Sequence, residues 1–159
     1  MIECFEPLIN SECKILILGS MPGVTSLEKQ QYYGHPRNYF WHILYALFNE
    51  CYEEEYEQKK AFLLRHKIAL WDVLQSCERA GSLDADIKNE EVNDFDWLFK
   101  TYPHIKNVFF NGTKAYESFR KKVGFKYEGI HMQKLPSTSP AHAVRFEDKL
   151  AAWKVITSC

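Results

Sequence analysis

The sequence lacks the segments that carry a protein into or across a membrane. Among its 159 residues, no apolar run approaches the roughly 18 residues of a membrane-spanning helix. The opening MIECFEPLINSECK is acidic and interrupted by Pro7, so it has neither the basic nor the long apolar part of a signal peptide. We therefore expect a protein that does not act at a membrane.

The patterns of metal and disulfide centres are also missing. The five cysteines are widely spaced without a CxxC pair, and the six histidines are scattered. There is no GxxxxGKS/T, GxGxxG, HExxH or GxSxG signature, and no HxE and PCxxC pattern of the zinc deaminases. We therefore expect a cytoplasmic protein with reduced cysteines and no bound metal.

The chain has almost no net charge, with 20 basic and 21 acidic residues. Taken alone, this balance argues against a nucleic-acid partner. The charges are unevenly distributed, however, because residues 51–99 carry 6 Lys or Arg against 12 Asp or Glu, whereas residues 100–159 carry 11 against 4. A basic final third is typical of a protein with an anionic partner, although charges that segregate by helix face give the same asymmetry.

Short apolar runs alternate with helical patterns, which indicates an α/β fold with a mainly parallel sheet covered by helices on both faces. The length is that of one domain. Strands are predicted at residues 14–18, 68–73, 107–110 and 132–135. Helices are predicted at residues 39–48, 53–66, 94–102, 113–123 and 141–156, with 80–91 as a polar connection. Right-handed crossovers then gather four loops at one edge of the sheet, namely 19–37, 72–83, 111–114 and 136–142.

The first of these loops contains two unusual segments. GSMPG (19–23) directly follows a strand, and its glycines let backbone N–H groups approach a ligand, although an ordinary turn has the same composition. The segment QYYGHPRN (31–38) brings aromatic rings that can stack on a flat ligand. Its Asn38 offers a donor and an acceptor to a base or a water, and it equally suits a helix cap.

The loop PSTSPAH (136–142) presents three hydroxyl groups between two prolines. Such a loop can hold a phosphate, and Ser139 with Pro140 also fits the cap and first position of the predicted last helix. The segment NGTK (111–114) has the same character at another helix start.

Five segments resemble the uracil-DNA glycosylase superfamily and, within it, the hypoxanthine-DNA glycosylase branch. They occur in the family's order and are GSMPG (19–23), QQYYGHPRNYFW (30–41), ALWDVLQSCERAGSLD (69–84), FFNGTKAYESF (109–119) and LPSTSPAHA (135–143). The resemblance implies a single domain over residues 1–159, built as a three-layer α/β/α sandwich around a four-stranded, mostly parallel sheet. It also implies hydrolysis of the base–deoxyribose bond of deaminated bases in DNA, chiefly hypoxanthine, without metal or cofactor. We expect a monomer.

The resemblance also assigns roles to individual residues. Related enzymes carry an Asp or Asn before the proline of the first motif, where it directs the attacking water, but Met21 stands there in this chain. The branch instead uses the Asn of PRN, which makes Asn38 the catalytic candidate, and Tyr33 falls where an aromatic ring stacks on the flipped base. The expected base-binding residues are Gly19, Ser20, Met21, Pro22, Gly23, Tyr33 and Asn111. The expected DNA-binding residues are Lys114, Ser137, Thr138, Ser139, Pro140, Ala141 and His142.

Two alternatives remain open at this point. The same fold can act on uracil or xanthine, although Met21 disfavours a mainly uracil-directed enzyme. A non-catalytic nucleic-acid or nucleotide-binding module would bind its ligand without excising a base. In each DNA-binding case, the low net charge predicts contact with few phosphates and a modest, salt-sensitive affinity.

Overall fold

The computed structural model describes residues 1–159 and has a four-stranded parallel sheet at its centre. The strands of the chain are β1 (Ile2–Glu3), β2 (Ile15–Gly19), β3 (Ile68–Asp72), β4 (Leu74–Glu78), β5 (Lys88–Val92), β6 (Asn107–Asn111) and β7 (His131–Leu135). The central sheet has the order β3-β2-β6-β7, and each neighbouring pair is parallel. These strands confirm the predicted ones. Short apolar runs of the kind that a buried parallel strand requires mark β2, β3 and β6, whereas β7 at the edge of the sheet is more polar and less buried.

A second, antiparallel sheet of order β1-β4-β5 lies outside the prediction. The interpretation of residues 80–91 as a polar connection is wrong, because β5 occupies part of it. The sequence of β5, KNEEV, has no apolar alternation, so no periodicity marks it as a strand. It forms because the neighbouring strand β4 offers it a backbone to pair with.

Six α-helices accompany the sheets. They are α1 (Val24–Lys29), α2 (Phe40–Leu47), α3 (Tyr56–Arg65), α4 (Phe95–Thr101), α5 (Thr113–Lys122) and α6 (Phe146–Trp153). Short 3-10 turns occupy Asp84–Asp86 and Lys154–Ser158. Five of the helices match predicted ones, whereas α1 was hidden in the loop 19–37 because its six residues are too few to show a periodicity.

The predicted start of the last helix is wrong. The helix α6 begins at Phe146 with Arg145 as its N-cap, so Ser139 and Pro140 do not occupy its cap and first position. Phe146 is the first residue of α6 whose side chain packs against the core. Residues 141–145 are exposed and have no apolar face to bury.

Helices cover both faces of the central sheet. On one face, α4 and α5 pack Phe95 and Phe119 against alternate residues of the strands, such as Leu18 and Phe110. On the other face, α2, α3 and α6 bury their apolar side chains against the intervening residues of the same strands. The fold is therefore the predicted three-layer α/β/α arrangement, and none of its helices is long and apolar enough to span a membrane.

The order of the strands places polar residues together. From β2 the chain continues to β3 on one side, whereas β6 and β7 lie on the other. Ligands of open parallel sheets bind at such a switch point, outside the carboxyl ends of the strands. Gly19, Asp72 and Asn111 each end one of three adjacent strands at this place.

Candidate active site

A cleft of about 950 Å³ opens over the carboxyl ends of the central strands. All fifteen residues that the sequence nominates for catalysis, base binding or DNA binding line it. The topology brings them together, because the loops that follow β2, β3, β6 and β7 meet at this edge. What each residue does there depends on its contacts.

Asn38 lies at the entrance to α2 and performs a capping contact. Its Oδ1 accepts a hydrogen bond from the backbone N–H of Phe40 at 3.0 Å. Tyr39, not Asn38, is the N-cap residue by backbone position. Because Oδ1 is committed to the helix, the Nδ2 group remains as a donor in the cleft. Capping and ligand binding are therefore compatible in this side chain.

Tyr33 presents an aromatic ring to the cleft. One face of the ring is stacked on Phe40, with the ring centroids 4.0 Å apart and an interplanar angle of 21°. The backbone of Tyr33 has a φ of 54°, in the left-handed region that a tyrosine rarely adopts. Its hydroxyl group is buried without a hydrogen-bond partner, and burial raises its pKa well above the usual value. The ring face opposite Phe40 is the one available to a planar ligand.

The segment 19–23 approaches the cleft closely through its backbone. A Cβ atom at Gly19 would lie 2.7 Å from Asp72 Oδ1 and 3.0 Å from the Tyr33 hydroxyl oxygen, so only glycine fits. The Ser20 hydroxyl donates to Asp84 Oδ1 at 2.6 Å. Met21 is 7% exposed and packs in the core against the strand residues, so it offers no polar group to a water.

Asp72 is the functional candidate that the sequence did not nominate. It pairs with Gly19 across β2 and β3, is 3% exposed, and its Oδ2 has no hydrogen-bond partner. The pKa of Asp72 is raised to about 7, chiefly by burial and also by the nearby charge of Asp84, while Arg79 opposes both. The signals in the sequence are an acidic residue at the end of the apolar strand IALWD and its place in the segment 69–84, which resembles the superfamily.

Asn111 and Thr138 lock two loops together at the other side of the cleft. The Asn111 Nδ2 group donates to Thr138 Oγ1 at 3.0 Å, and its Oδ1 accepts from the Thr138 N–H at 2.9 Å. A Cβ atom at Gly112 would lie 3.1 Å from Ser137 Cβ, and Gly112 has a φ of 98°, so glycine is required there too. Asn111 therefore positions the loop 136–142, with at most one amide hydrogen left for a ligand.

The loop 136–142 satisfies most of its own backbone donors. The N–H groups of Ser139 and Ala141 donate to Ser137 Oγ and Ser139 Oγ, and that of His142 donates to the Ser139 carbonyl. The hydroxyl hydrogens of Ser137 and Ser139 stay available. An anion at this loop would therefore meet serine hydroxyl groups more readily than backbone amides.

Lysine side chains on α5 contribute the positive charge of the cleft. The Lys114 ammonium forms an ion pair with Glu90, with 2.8 Å between Nζ and Oε2. Lys121 also lines the cleft, is exposed, and forms no ion pair. Of these two lysines the sequence analysis selected only Lys114, because it stands in the segment NGTK (111–114), whereas no motif marks Lys121.

The arrangement suits a ligand that combines a planar polar ring with an anionic group. The ring can stack on Tyr33 and hydrogen-bond to Asn38 Nδ2 and to Asp72, and the anion can meet the serines and Lys121. No group of three or more His, Cys, Asp or Glu side chains is arranged to hold a metal ion.

Comparison with known proteins adds to this geometry. The family model described as the Uracil DNA glycosylase superfamily matches residues 6–157. The "Hypoxanthine DNA glycosylase" of Methanosarcina barkeri is 38% identical over 152 residues, 94% of this chain and 93% of that protein. Its counterpart of the same description in Methanosarcina acetivorans is 36% identical over 155 residues, 96% of this chain and 95% of that one. A solution NMR structure of a candidate uracil DNA glycosylase from Methanosarcina acetivorans has a TM-score of 0.83 and 36% identity, and covers 96% of this chain and 94% of that one.

Proposed function

The chain belongs to the uracil DNA glycosylase superfamily, and from that membership we propose that it is a DNA glycosylase that removes hypoxanthine from DNA. The observation that carries this proposal is the meeting of Tyr33, Asn38 and Asp72 in one cleft. Together they offer a stacking face and two hydrogen-bonding groups to a single flipped purine. DNA with a deaminated base is the proposed substrate, and two relatives described as hypoxanthine DNA glycosylases support the choice of base.

The proposed reaction is a hydrolysis. The enzyme flips the nucleotide into the cleft, the base stacks on Tyr33, and water adds to C1′ of the sugar as the bond to the base breaks. The hydroxyl group of that water stays on the sugar and its proton is taken up by the departing base. Hypoxanthine pairs less stably than the normal purines and leaves more readily than adenine or guanine, so both flipping and bond cleavage are easier.

The donors in the cleft match the charge that develops on the base. A departing purine carries negative charge over its ring nitrogens and carbonyl oxygen, which donors fixed in a dry site stabilise. Asn38 Nδ2 is such a donor, since Oδ1 already bonds the Phe40 N–H. Asp72 is a second donor when its carboxyl group is protonated, and its pKa of about 7 makes that form abundant near neutral pH.

The same structure supports three further features of the proposal. A single chain supplies all fifteen nominated residues, which supports a monomer that acts as one domain over residues 1–159. All five cysteines are free, which supports a reducing, cytoplasmic compartment. The unpaired Lys121 and the serine hydroxyls of the loop 136–142 support a grip on few phosphates.

Assay of the purified protein on matched duplexes tests the proposal. Duplexes with one deoxyinosine, deoxyuridine or deoxyxanthosine are incubated with the enzyme, and alkali then cleaves any abasic product. We expect cleavage chiefly at deoxyinosine. Cleavage chiefly at uracil or xanthine would reassign the base, and binding without cleavage of any duplex would instead support a non-catalytic module.

A further inference from the structure

Lys149 is a buried cation without an anionic partner. It lies on α6, is 1% exposed, and takes part in none of the chain's ion pairs. A buried ammonium group is costly unless its surroundings compensate for the water it has lost, and desolvation lowers the pKa of Lys149 accordingly. Packing alone does not explain why a lysine occupies this buried position.

Both contacts of the ammonium group are at the candidate site. Its Nζ donates to the carbonyl oxygen of Ser139 at 3.0 Å, and it lies 5.5 Å from the centroid of the Tyr39 ring. Ser139 belongs to the loop that lines the cleft, and Tyr39 directly follows Asn38. The ammonium group therefore touches the loop 136–142 and the start of α2 at once.

The same two segments are already joined next to Lys149. The Tyr39 N–H donates to the Thr138 carbonyl oxygen at 3.1 Å, and Thr138 is held in turn by both polar atoms of Asn111. The loop 136–142, the residues Asn38 and Tyr39 (the Asn38 segment) and the end of β6 thus meet at one junction. Lys149 contacts this junction through Ser139 and Tyr39.

We propose that Lys149 is a positioning residue for base excision, which holds the loop 136–142 and the Asn38 segment in one geometry through Ser139 and Tyr39. This inference rests on the proposed function, because excision is the reaction that the geometry serves. The residue acts from outside the cleft, since Lys149 does not line it. Burial of its charge lowers the stability of the fold, and what the residue provides is the geometry of the site.

Lys149→Met separates a positioning role from a structural one. Methionine has a similar length and no charge, and apolar replacement of a buried charge is often neutral or stabilising. We expect a melting temperature at or above that of the wild type, together with a single-turnover excision rate that is lower by roughly tenfold or more. The amide hydrogens of residues 136–143 should exchange faster with solvent.

Lys59 provides a matched control. It is 9% exposed on α3, its Nζ donates to the Glu54 carbonyl oxygen at 3.2 Å and lies 4.9 Å from the Tyr52 ring centroid, and it is absent from the cleft. Lys59→Met should leave excision unchanged, and it should not alter exchange in residues 136–143.

Three results would overturn the inference. They are wild-type excision by Lys149→Met, an equal loss of excision in Lys59→Met, and unchanged exchange in residues 136–143. If the methionine variant does not fold, Lys149→Gln replaces it in the same measurements with the same criteria. Absence of excision by the wild-type protein would count against the proposed function, whereas hydrogen exchange reports on Lys149 whether or not any base is excised.

Discussion

The carboxyl group of Asp72 occupies the space that Gly19 leaves open, since a Cβ atom at residue 19 would lie 2.7 Å from Asp72 Oδ1. The two residues are partners in the register of β2 and β3. The carboxyl group is consequently fixed at the centre of the sheet's edge, out of water, where it can face a ligand in the cleft. Its protonation should be visible both in stability and in activity.

Asp72 should make the protein less stable as the pH rises. Its pKa rises from 3.8 in the unfolded chain to about 7 in the native state, so between these values the native state binds the extra proton. The cost appears as the pH increases from 4 to 7, is fully present above 7, and amounts to at most about 4 kcal/mol. Asp72→Asn removes it, so the free energy of unfolding of the variant relative to the wild type should increase across this range. Chemical denaturation at a series of pH values measures the difference, and a constant difference would contradict the assignment.

Asp72 should also give the pH profile of the excision rate a descending limb near pH 7. A protonated Asp72 can donate a hydrogen bond to the departing purine, whereas its carboxylate would repel the negative charge that develops there. Single-turnover rates should therefore fall as the pH rises through about 7. Asp72→Asn keeps a donor and should lose this limb, and Asp84→Asn, which removes the nearby negative charge, should move it to lower pH. A limb that persists unchanged in Asp72→Asn would assign the titration to another group.

Asn38→Ala should separate capping from catalysis. Loss of the bond to the Phe40 N–H should lower stability by about 1 kcal/mol, while loss of the Nδ2 donor should lower the single-turnover rate by roughly a hundredfold or more. Asp94 is a matched control, since its side chain caps α4 by accepting from the Trp97 N–H at 3.0 Å. Asp94→Ala should cost similar stability and leave excision intact. Wild-type excision by the Asn38→Ala variant would mean that Asn38 caps the helix and has no catalytic role.

Tyr33→Leu should weaken excision through lost stacking. Base–aromatic stacking is worth about 1–3 kcal/mol, which corresponds to roughly a 5- to 150-fold loss of rate. Tyr33→Phe keeps the ring and removes only a hydroxyl group without a partner, so it should retain excision. Tyr45 is a matched control, because its ring is stacked on Phe62 at 4.0 Å outside the cleft, and Tyr45→Leu should affect melting but not excision. A fully active Tyr33→Leu variant would reject the stacking role.

The contrast between Tyr33 and Asp72 explains what the sequence can and cannot predict. The strands and the meeting of their loops follow from short apolar runs and the rules of parallel sheets, and Tyr33 and Asn38 stand in segments of unusual composition. The sequence assigns no role to Asp72, although it lies in the resembling segment 69–84, and Lys149 lies in no such segment. The significance of both residues comes from burial and from partners far along the chain. The strand β5 is hidden for the same reason, since its charged sequence is held only by pairing with β4. Glu90 of β5 forms an ion pair with Lys114, a residue that the sequence assigns to DNA binding.

Glu90→Gln should strengthen DNA binding. The Lys114 ammonium lies 2.8 Å from Glu90 Oε2, so a phosphate at Lys114 must compete with this carboxylate. Release of Lys114 to one phosphate should make the plot of log affinity against log salt steeper by about 0.9. Fluorescence anisotropy with an uncleaved duplex at several salt concentrations measures this slope. Glu57→Gln, which frees Lys60 on α3 instead, is the control and should leave the slope unchanged. An unchanged slope in Glu90→Gln would mean that Lys114 does not contact the DNA backbone.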